Sequence, residues 1–466
     1  MNPRRVAVIG GGLAGITAAL ECSRAGTSVT LLESRGRLGG AAYSFTREGI
    51  RADNGQHVFL RCCTAYRELL QQIEASHLVT LQPRLDIPVL GPGGKRASLR
   101  RSDLPAPLHL APALGRYGFL TAAERFSVAR AMAALNRIDF EDPAADERSF
   151  GDWLRAHRQS ARAVDAIWGL IVRPTLNLEP ADASLAQAAQ VFQVGLLRDR
   201  TAGDIGYARA PLSEIHDVAA RRTLVGHGVE VRLRHGATTI LPTDDSFRIE
   251  ISGAPTLSAD VVVVAVPPDR AARLLPASAA VDRARLARLG RSPIVNVHVV
   301  YDRRVMELPF AAGVGTPLQY VFDRTETSGI DAGQYLVVSL SAADAELEMA
   351  VEELHDRYLP ALAELFPAAA GAGVETFFVT REHSATFRAA PGTRALRPAA
   401  ETPLPGLVLA GSWTDTGWPA TMEGAVRSGR TAAQAALAAP LRRRPAATPS
   451  SNGHHPEREL AREGLG

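Results

Sequence analysis

The sequence predicts an α/β fold that opens with a β–α–β dinucleotide-binding unit, and three features in chain order support it. A short β-branched run, Arg5–Ile9, is predicted as the first strand and passes directly into a glycine-rich turn. Helix-forming residues from Ile16 to Ala25 follow, with Gly26 at the expected end of the helix. Thr27–Glu33 is then predicted as a second strand.

The glycine turn carries Gly10, Gly12 and Gly15 in the spacing GxGxxG. The first glycine permits a tight turn, the second lets a pyrophosphate approach the backbone, and the third lets the helix pack on the strand. Free N–H groups at the start of the helix favour phosphate binding. Glu33 ends the second strand, 23 residues after Gly10, where a carboxylate can accept hydrogen bonds from ribose hydroxyls.

Composition excludes several other classes of protein. Of 466 residues, 46% are hydrophobic and 22% charged, which is ordinary for a globular protein and excludes a disordered chain, a collagen-like repeat and a disulfide scaffold. The formal charge of +3 gives no sign of nucleic-acid binding. Cys22, Cys62 and Cys63 have no metal-ligand spacing, so we expect free thiols and no metal site. With no signal peptide and no apolar run long enough to span a bilayer, we expect a cytoplasmic protein.

The rest of the chain divides into segments of different character. Residues 66–211 are rich in Leu, Ala and Arg with helical spacing, and Thr121 with Glu124 forms a candidate capping box. Val229–Leu233 is predicted to lead through a small meander into the four-valine strand 261–264, which is typical of a strand buried on both faces. Residues 269–382 mix helices and strands. The tail 440–466 carries little that could form a core and is predicted to be disordered.

Two further motifs resemble one flavoprotein superfamily. Residues 33–40, Glu-Ser-Arg-Gly-Arg-Leu-Gly-Gly, resemble the extended fingerprint of the flavin amine oxidases and phytoene desaturases, and residues 406–429 resemble that superfamily's C-terminal flavin motif. Ser412 stands where an acid is usual there. The resemblance implies a discontinuous Rossmann-type FAD-binding domain with an inserted α+β substrate domain. The expected division is FAD-binding parts at 1–65, 212–268 and 395–439, a mainly helical substrate part at 66–211 and a second substrate part at 269–394.

The resemblance also implies which residues contact FAD. They are Gly10, Gly12, Leu13, Ala14, Gly15, Glu33, Ser34, Arg35, Arg37, Gly39, Gly40, Gly55, Gln56, His57, Ala237, Gly411, Ser412, Thr421, Met422 and Ala425. Ser384 stands about where some amine oxidases carry the cysteine that bonds the flavin, so FAD is expected to be bound non-covalently.

Several segments are similar to one subgroup, the bacterial hydroxysqualene dehydroxylases. They include Asp53–His57, residues 293–302, residues 319–324 and residues 411–429. The resemblance implies reduction of a C30 allylic alcohol, hydroxysqualene, to squalene, with reduced FAD as hydride donor, in squalene and hopanoid biosynthesis. The substrate would be an apolar C30 isoprenoid, and the electron donor is unknown. His57 or Gln56 is expected to contact the leaving hydroxyl; the alternative for His57 is a structural, hydrogen-bonded histidine.

Residue identity argues against an amine oxidase. Asn296 stands where such enzymes usually place a lysine, and the chain's one lysine, Lys95, lies elsewhere. Thr421 and Ala385 replace the aromatic walls that attract an amine by cation–π contact. Two alternatives remain open: a carotenoid desaturase of the phytoene type, and a flavin-containing lipid-binding or assembly protein without turnover.

A lipid substrate also predicts peripheral membrane contact, at the inner face of the cell membrane. The candidate segment is Leu104–Leu120, which is apolar and rich in proline, with Arg116 and Tyr117 expected at the level of the lipid headgroups. The alternative is that this segment forms a wall of the protein's own substrate tunnel.

Overall fold

The computed structural model describes residues 3–440, so the predicted tail, apart from Pro440, lies outside the described residues. The strands are β1 (Arg5–Ile9), β2 (Ser28–Glu33), β3 (Ser44–Arg47), β4 (Ile50–Asp53), β5 (Phe59–Leu60), β6 (Val79–Leu81), β7 (Asp86–Gly91), β8 (Lys95–Arg100), β9 (Ile205–Ala208), β10 (Glu230–Leu233), β11 (Ala237–Pro242), β12 (Phe247–Ile251), β13 (Ala254–Ala259), β14 (Val261–Val264), β15 (Ser292–Tyr301), β16 (Phe310–Gly313), β17 (Tyr320–Asp323), β18 (Gln334–Ser341), β19 (Val374–Thr386) and β20 (Leu407–Leu409).

The α-helices are α1 (Leu13–Arg24), α2 (Thr64–Gln72), α3 (Ala111–Gly115), α4 (Ala122–Leu135), α5 (Pro143–Asp146), α6 (Phe150–Ala156), α7 (Ala161–Ala163), α8 (Leu170–Leu176), α9 (Leu185–Phe192), α10 (Ala220–Gly226), α11 (Pro268–Leu274), α12 (Arg283–Ala287), α13 (Thr325–Ser328), α14 (Asp344–Glu348), α15 (Val351–Leu365) and α16 (Met422–Ala438). Wider π-helical turns at Val164–Gly169, Gln193–Leu197 and Glu214–Ala219 adjoin α8, α9 and α10.

A parallel five-stranded sheet in the order β10-β2-β1-β14-β20 forms the dinucleotide-binding layer. Its strands come from three separate stretches of the chain, which confirms the predicted discontinuous Rossmann-type fold. All four valines of β14 are buried, as expected for a strand covered on both faces. Helix α1 packs against α16, so the two ends of the described chain meet on one face of this sheet.

The inserted region is built on a seven-stranded sheet in the order β19-β15-β18-β17-β16-β7-β8. Strand β15, next to the edge strand β19, pairs antiparallel with both β18 and β19. Helices from residues 111–192 cover one side, with Trp168 and Phe150 among the fully buried side chains. This mixture of helices and a mainly antiparallel sheet is the predicted α+β substrate region.

Residues 66–211, expected to be mainly helical, also contain strands: β7 and β8 form a hairpin that joins the large sheet, with Gly93 and Gly94 between them. One expectation differs from the structure. Val229–Leu233 does not open the meander: β10 pairs in parallel with β2, and the meander is β11-β12-β13 alone. The predicted capping box is present, with Thr121 and Glu124 bonding reciprocally at the start of α4.

The segment Leu104–Leu120 is divided between surface and core. Leu104 and Leu108 are 46% and 56% exposed, respectively. Tyr117 was expected at headgroup level, and this expectation is wrong: the ring is fully buried beside Phe119, and its hydroxyl donates to the carbonyl of Ala166 at 2.8 Å. Within residues 3–440, the structure contains no helix of the length and apolarity that crossing a membrane requires.

Candidate functional site

A cavity of about 1170 Å³ lies between the parallel sheet and the large mixed sheet. All the residues predicted to contact FAD line it, with the exception of Gly15. The volume exceeds the roughly 300–1,000 Å³ of an ordinary ligand pocket. The cavity is therefore large enough to hold a dinucleotide and a second ligand together.

Close backbone approach explains the glycines at one end of the cavity. Gly10 has φ +110° and leads from β1 into the turn. A Cβ on Gly15 would lie 1.9 Å from the carbonyl oxygen of Gly10, so this glycine packs the helix on the turn and does not reach the cavity. Gly12 is the N-cap residue of α1; it provides no side-chain cap, and the first turn of the helix has no acid. The helix N-terminus therefore presents unpaired N–H groups, which suit a pyrophosphate.

Charged groups border this end of the cavity. Glu33 is buried, and its carboxylate accepts N–H bonds from Gly11 and Arg35, both at 2.7 Å, so it fixes the turn while still facing the cavity. Arg37 lies over the Tyr43 ring at 3.5 Å, and burial lowers the pKa of its guanidinium. A carboxylate for ribose hydroxyls and a cation for phosphate are thus both present.

The C-terminal motif joins the cavity through the start of α16. Thr421 caps this helix by accepting an N–H bond from Gly424. Glu423 is fully buried; it accepts N–H bonds from Ala65 and Tyr66 at the start of α2 and pairs with Arg427 at 2.7 Å. The glutamate therefore fastens α2 to α16, which holds the walls of the cavity in place.

Arg397, which does not line the cavity, supports the same motif. Its guanidinium is buried and donates to the carbonyls of Ser412 and Thr414 and to the hydroxyl of Thr416. Burial lowers its pKa to about 10. Ser412 itself lines the cavity, so a cation lies close to the position at which the superfamily usually has an acid.

The loop Gly55–His57 enters the cavity after β4. Asp53 anchors the loop through a buried ion pair with Arg324 at 2.8 Å and a bond from the Leu212 N–H. Gln56 Nε2 is buried and has no partner among the described protein groups. An unpaired buried donor of this kind is costly unless a ligand satisfies it. Burial lowers the pKa of His57, while Asp53 raises it.

Sequence reasoning missed one cluster beside this loop. The Asn54 amide donates to Glu382 at 3.0 Å and to the carbonyl of Ala41 at 2.8 Å. The Tyr43 hydroxyl also donates to Glu382, at 3.3 Å, and all three side chains line the cavity. Burial, followed by the charge of Glu382, raises the pKa of Tyr43. Glu382 lies on β19, more than 300 residues after Asn54, so no local pattern could have indicated the cluster.

The other end of the cavity is apolar. Side chains from the large sheet and α8 line it, among them Ile87, Leu170, Ile171, Phe310 and Phe322, together with Leu85 just before β7. Long apolar ligands bind in such a lining because burial removes their surface from water. The polar and apolar ends are continuous, so a ligand in the apolar end can meet a group held in the polar end.

The structure locates the residues at which this sequence departs from the amine oxidases. Asn296 is fully buried on β15 and donates to the carbonyl of Asn54 at 3.0 Å. His298, on the same face, bonds Tyr335 and Thr380, and burial lowers its pKa to about 3, so it is a core histidine. Thr421 and Ala385 line the cavity, and Lys95 does not.

Three features of the cavity fit a flavin dinucleotide: the unpaired N–H groups at the start of α1, the cavity-facing carboxylate of Glu33 and the unpaired amide of Gln56.

Three known proteins are similar to this chain. A hydroxysqualene dehydroxylase of Rhodopseudomonas palustris is 28% identical, with 94% of this chain and 99% of the relative covered. A zeta-carotene desaturase of Synechocystis is 26% identical, with 93% and 97% covered. A putrescine oxidase structure with bound putrescine has a TM-score of 0.70 at 20% identity, covering 94% of this chain and 99% of that one, which supports the fold alone.

The flavin containing amine oxidoreductase family matches residues 13–437, which includes the glycine helix, the inserted region and the C-terminal motif. The family and the cavity agree on a flavin cofactor and on redox chemistry. The chain therefore belongs to the flavin containing amine oxidoreductase family and is an FAD-dependent oxidoreductase.

Proposed function

We propose that this protein reduces hydroxysqualene to squalene, with non-covalently bound FAD. The observation that carries the proposal is the continuity of the cavity, which joins the residues suited to FAD to an apolar end suited to a C30 isoprenoid. The similarity to a hydroxysqualene dehydroxylase over nearly the full length of both chains supports the same substrate.

FAD in its reduced form would supply a hydride to the allylic carbon. The protein's own contribution begins with the hydroxyl group, which needs a proton before it can leave as water. His57 and Gln56 border the cavity. The Gln56 amide has no hydrogen-bond acceptor among the described protein groups, and an alcohol oxygen could be that acceptor. We therefore assign the hydroxyl to this loop, with Gln56 orienting the oxygen and His57 supplying the proton.

The apolar wall has a second role in this scheme. Loss of water from an allylic alcohol leaves an allylic cation, which bulk water would trap. Leu170, Ile171 and Phe322 exclude water from that end of the cavity, so the cation can persist until hydride arrives. Holding the C–O bond close to the hydride donor also accelerates the reaction, because the two reacting groups are already in position.

Carotenoid desaturation is the second candidate, and the similarity to a zeta-carotene desaturase favours it. A desaturase would bind the same kind of apolar chain and remove hydrogen from it. A hydrocarbon offers no oxygen to the orphaned Gln56 amide, which is why we favour the alcohol. A flavin-containing lipid-binding protein without turnover would need neither substrate chemistry nor a reductant.

Product analysis separates these functions. The purified protein is incubated anaerobically with hydroxysqualene and dithionite, or with a carotene and an electron acceptor, and the lipids are analysed by mass spectrometry. The proposal predicts squalene only in the first mixture. A desaturated carotene without squalene would establish the second candidate, and no change in either lipid would leave only a binding role.

A further inference from the structure

The proposed reduction needs electrons that the chain does not supply. In each turnover a C–O bond breaks, a C–H bond forms and the oxygen leaves as water, which consumes two electrons and two protons. Solvent can provide the protons. The electrons must reach the flavin from another molecule, so a surface that receives the electron donor is expected near the cavity.

Six arginines and two aspartates lie within residues 268–291, which gives this segment a formal charge of +4. Arg270, Arg273, Arg288 and Arg291 form what we call the arginine patch; all four side chains are exposed, and none has an ion pair or side-chain hydrogen bond in the described structure. The two remaining arginines, Arg283 and Arg285, donate to backbone carbonyls. Asp282 accepts N–H bonds as the cap of α12.

Several arginines elsewhere in the protein are paired with carboxylates. Arg173, for example, pairs with both Asp165 and Glu179. Exposed charges of one sign repel one another and raise the local potential, which attracts an oppositely charged partner. The patch also borders the cavity, because Arg270 and Arg291 line it and α11 packs against α12.

The apolar side chains indicate which kind of partner fits. A protein that inserts into a bilayer surface needs exposed apolar groups beside its cations. The large apolar side chains exposed within residues 3–440 include Leu104, Leu108 and Phe126, and none of them lies in residues 268–291. A charged surface without an apolar centre is typical of small, transient electron-transfer contacts, in which charge steers the encounter.

We propose that the arginine patch docks an acidic one-electron carrier protein of the ferredoxin or flavodoxin class, which delivers the two electrons one at a time. The inference rests on the reductive direction of the proposed function. It assigns the electron entry point to α11, α12 and Arg291.

The test follows flavin reduction by absorbance, without any lipid substrate. The FAD-loaded protein is mixed anaerobically with a reduced plant-type ferredoxin freed of dithionite. We expect the second-order rate to fall about tenfold or more between about 20 and about 300 mM salt. We expect a similar fall in an Arg273→Glu/Arg288→Glu variant, whose altered residues do not line the cavity.

The control is an Arg130→Glu/Arg137→Glu variant, which reverses two exposed arginines that also lack side-chain partners. It should be reduced at the wild-type rate, and dithionite should reduce all three proteins equally. No reduction by ferredoxin, or equal rates for the two variants, would overturn the inference. Loss of binding to phosphatidylglycerol vesicles in the patch variant, with ferredoxin reduction unchanged, would also overturn it and assign the patch to a membrane.

The two proposals fail separately. If dithionite-reduced protein makes no squalene, the proposed function fails whatever ferredoxin does. If dithionite supports squalene formation but ferredoxin does not distinguish the variants, only the docking inference fails.

Discussion

The Asn54 amide donates a hydrogen bond to the Glu382 carboxylate at 3.0 Å, joining the loop that carries His57 to the far strand β19. Asn54 also supports this turn by bonding the carbonyl of Ala41 and the N–H of Tyr43. We infer that Glu382 is a positioning residue that fixes the loop beside the flavin. The bond thus connects the cavity loop after β4 to the large mixed sheet.

Variants of Glu382 test this role. Glu382→Gln keeps an oxygen that accepts from Asn54, so activity should stay within about threefold of wild type. Glu382→Leu removes the acceptor and leaves one of the two N–H groups of the Asn54 amide unpaired, so kcat should fall by about tenfold or more, with FAD retained. Glu375→Leu, an exposed change on the same strand, is the control. If Glu382→Gln were as damaging as Glu382→Leu, Glu382 would be acting as an acid.

The proposed proton donor predicts a pH dependence for the reaction. Burial lowers the pKa of His57, so the imidazole is mainly neutral at pH 7 and gains its proton as the pH falls below about 6.5. Squalene formation by pre-reduced enzyme should therefore accelerate toward acid pH. His57→Gln should keep the flavin spectrum, lose about 100-fold in rate and show a flat profile. A rising profile that survives in His57→Gln would remove His57 from the mechanism.

FAD affinity should respond to Ser412. A carboxylate bonds a ribityl hydroxyl more strongly than a serine does, and the Arg397 guanidinium bonded to the Ser412 carbonyl would favour the added charge. We expect Ser412→Asp to lower the Kd of the apoprotein for FAD by about fivefold to tenfold, measured by flavin fluorescence quenching. Ser412→Ala should weaken binding. Weaker binding by Ser412→Asp would show that this serine does not face the cofactor.

The binding of FAD is also expected to be non-covalent. Ser384 lines the cavity at the position where the resemblance implies a cysteine in some amine oxidases. Acid precipitation should therefore leave the yellow chromophore in the supernatant. Colour that stays with the pellet would contradict this expectation.

The parts of the fold that the sequence predicted well depend on local patterns. The strand, glycine turn and carboxylate of residues 5–33 follow one another within a single β–α–β unit, so spacing alone identified them. The pairing of β10 with β2 and the cluster at Glu382 depend on contacts across about 200 and more than 300 residues. Such contacts are decided by tertiary packing, which the pattern around each residue does not record. The hairpin β7–β8 is not predicted from the pattern because Pro88 lies inside β7, and a proline within a run argues against a strand.

Stability should fall in acid because of two buried histidines. Burial lowers the pKa of His216 to about 4 and that of His298 to about 3, whereas an unfolded histidine has a pKa near 6.5. Below pH 6.5 the unfolded chain binds more protons, so the free energy of unfolding decreases as the pH falls toward these values. At pH 5 the loss is about 2 kcal/mol for each histidine. Urea unfolding at pH 7.5 and 5 measures it.

A matched pair of variants isolates one of these histidines. His216→Gln removes the titrating group bonded to the Tyr66 hydroxyl. Between the two pH values, its free energy of unfolding should therefore fall by about 2 kcal/mol less than that of wild type. For His227→Gln, at an exposed position, the free energy of unfolding should fall by as much as it does for wild type. Equal losses in all three proteins would mean that His216 is accessible to protons in the folded state.

Membrane contact through the segment Leu104–Leu120 is a proposal that exposed leucines can test. We propose that Leu104 and Leu108 touch the bilayer, because they are exposed, whereas Leu110 and Leu114 pack against the core and their replacement would damage the fold. Leu104→Ser/Leu108→Ser should reduce co-sedimentation with liposomes by about tenfold, since fully burying a leucine contributes roughly 1.5–3 kcal/mol. Val351→Ser/Val374→Ser, at two other exposed apolar positions, and deletion of residues 441–466 should leave binding unchanged. If the deletion alone releases the protein from liposomes, attachment is electrostatic and comes from the tail. The deleted residues include the three consecutive arginines at 442–444, which would attract an anionic surface.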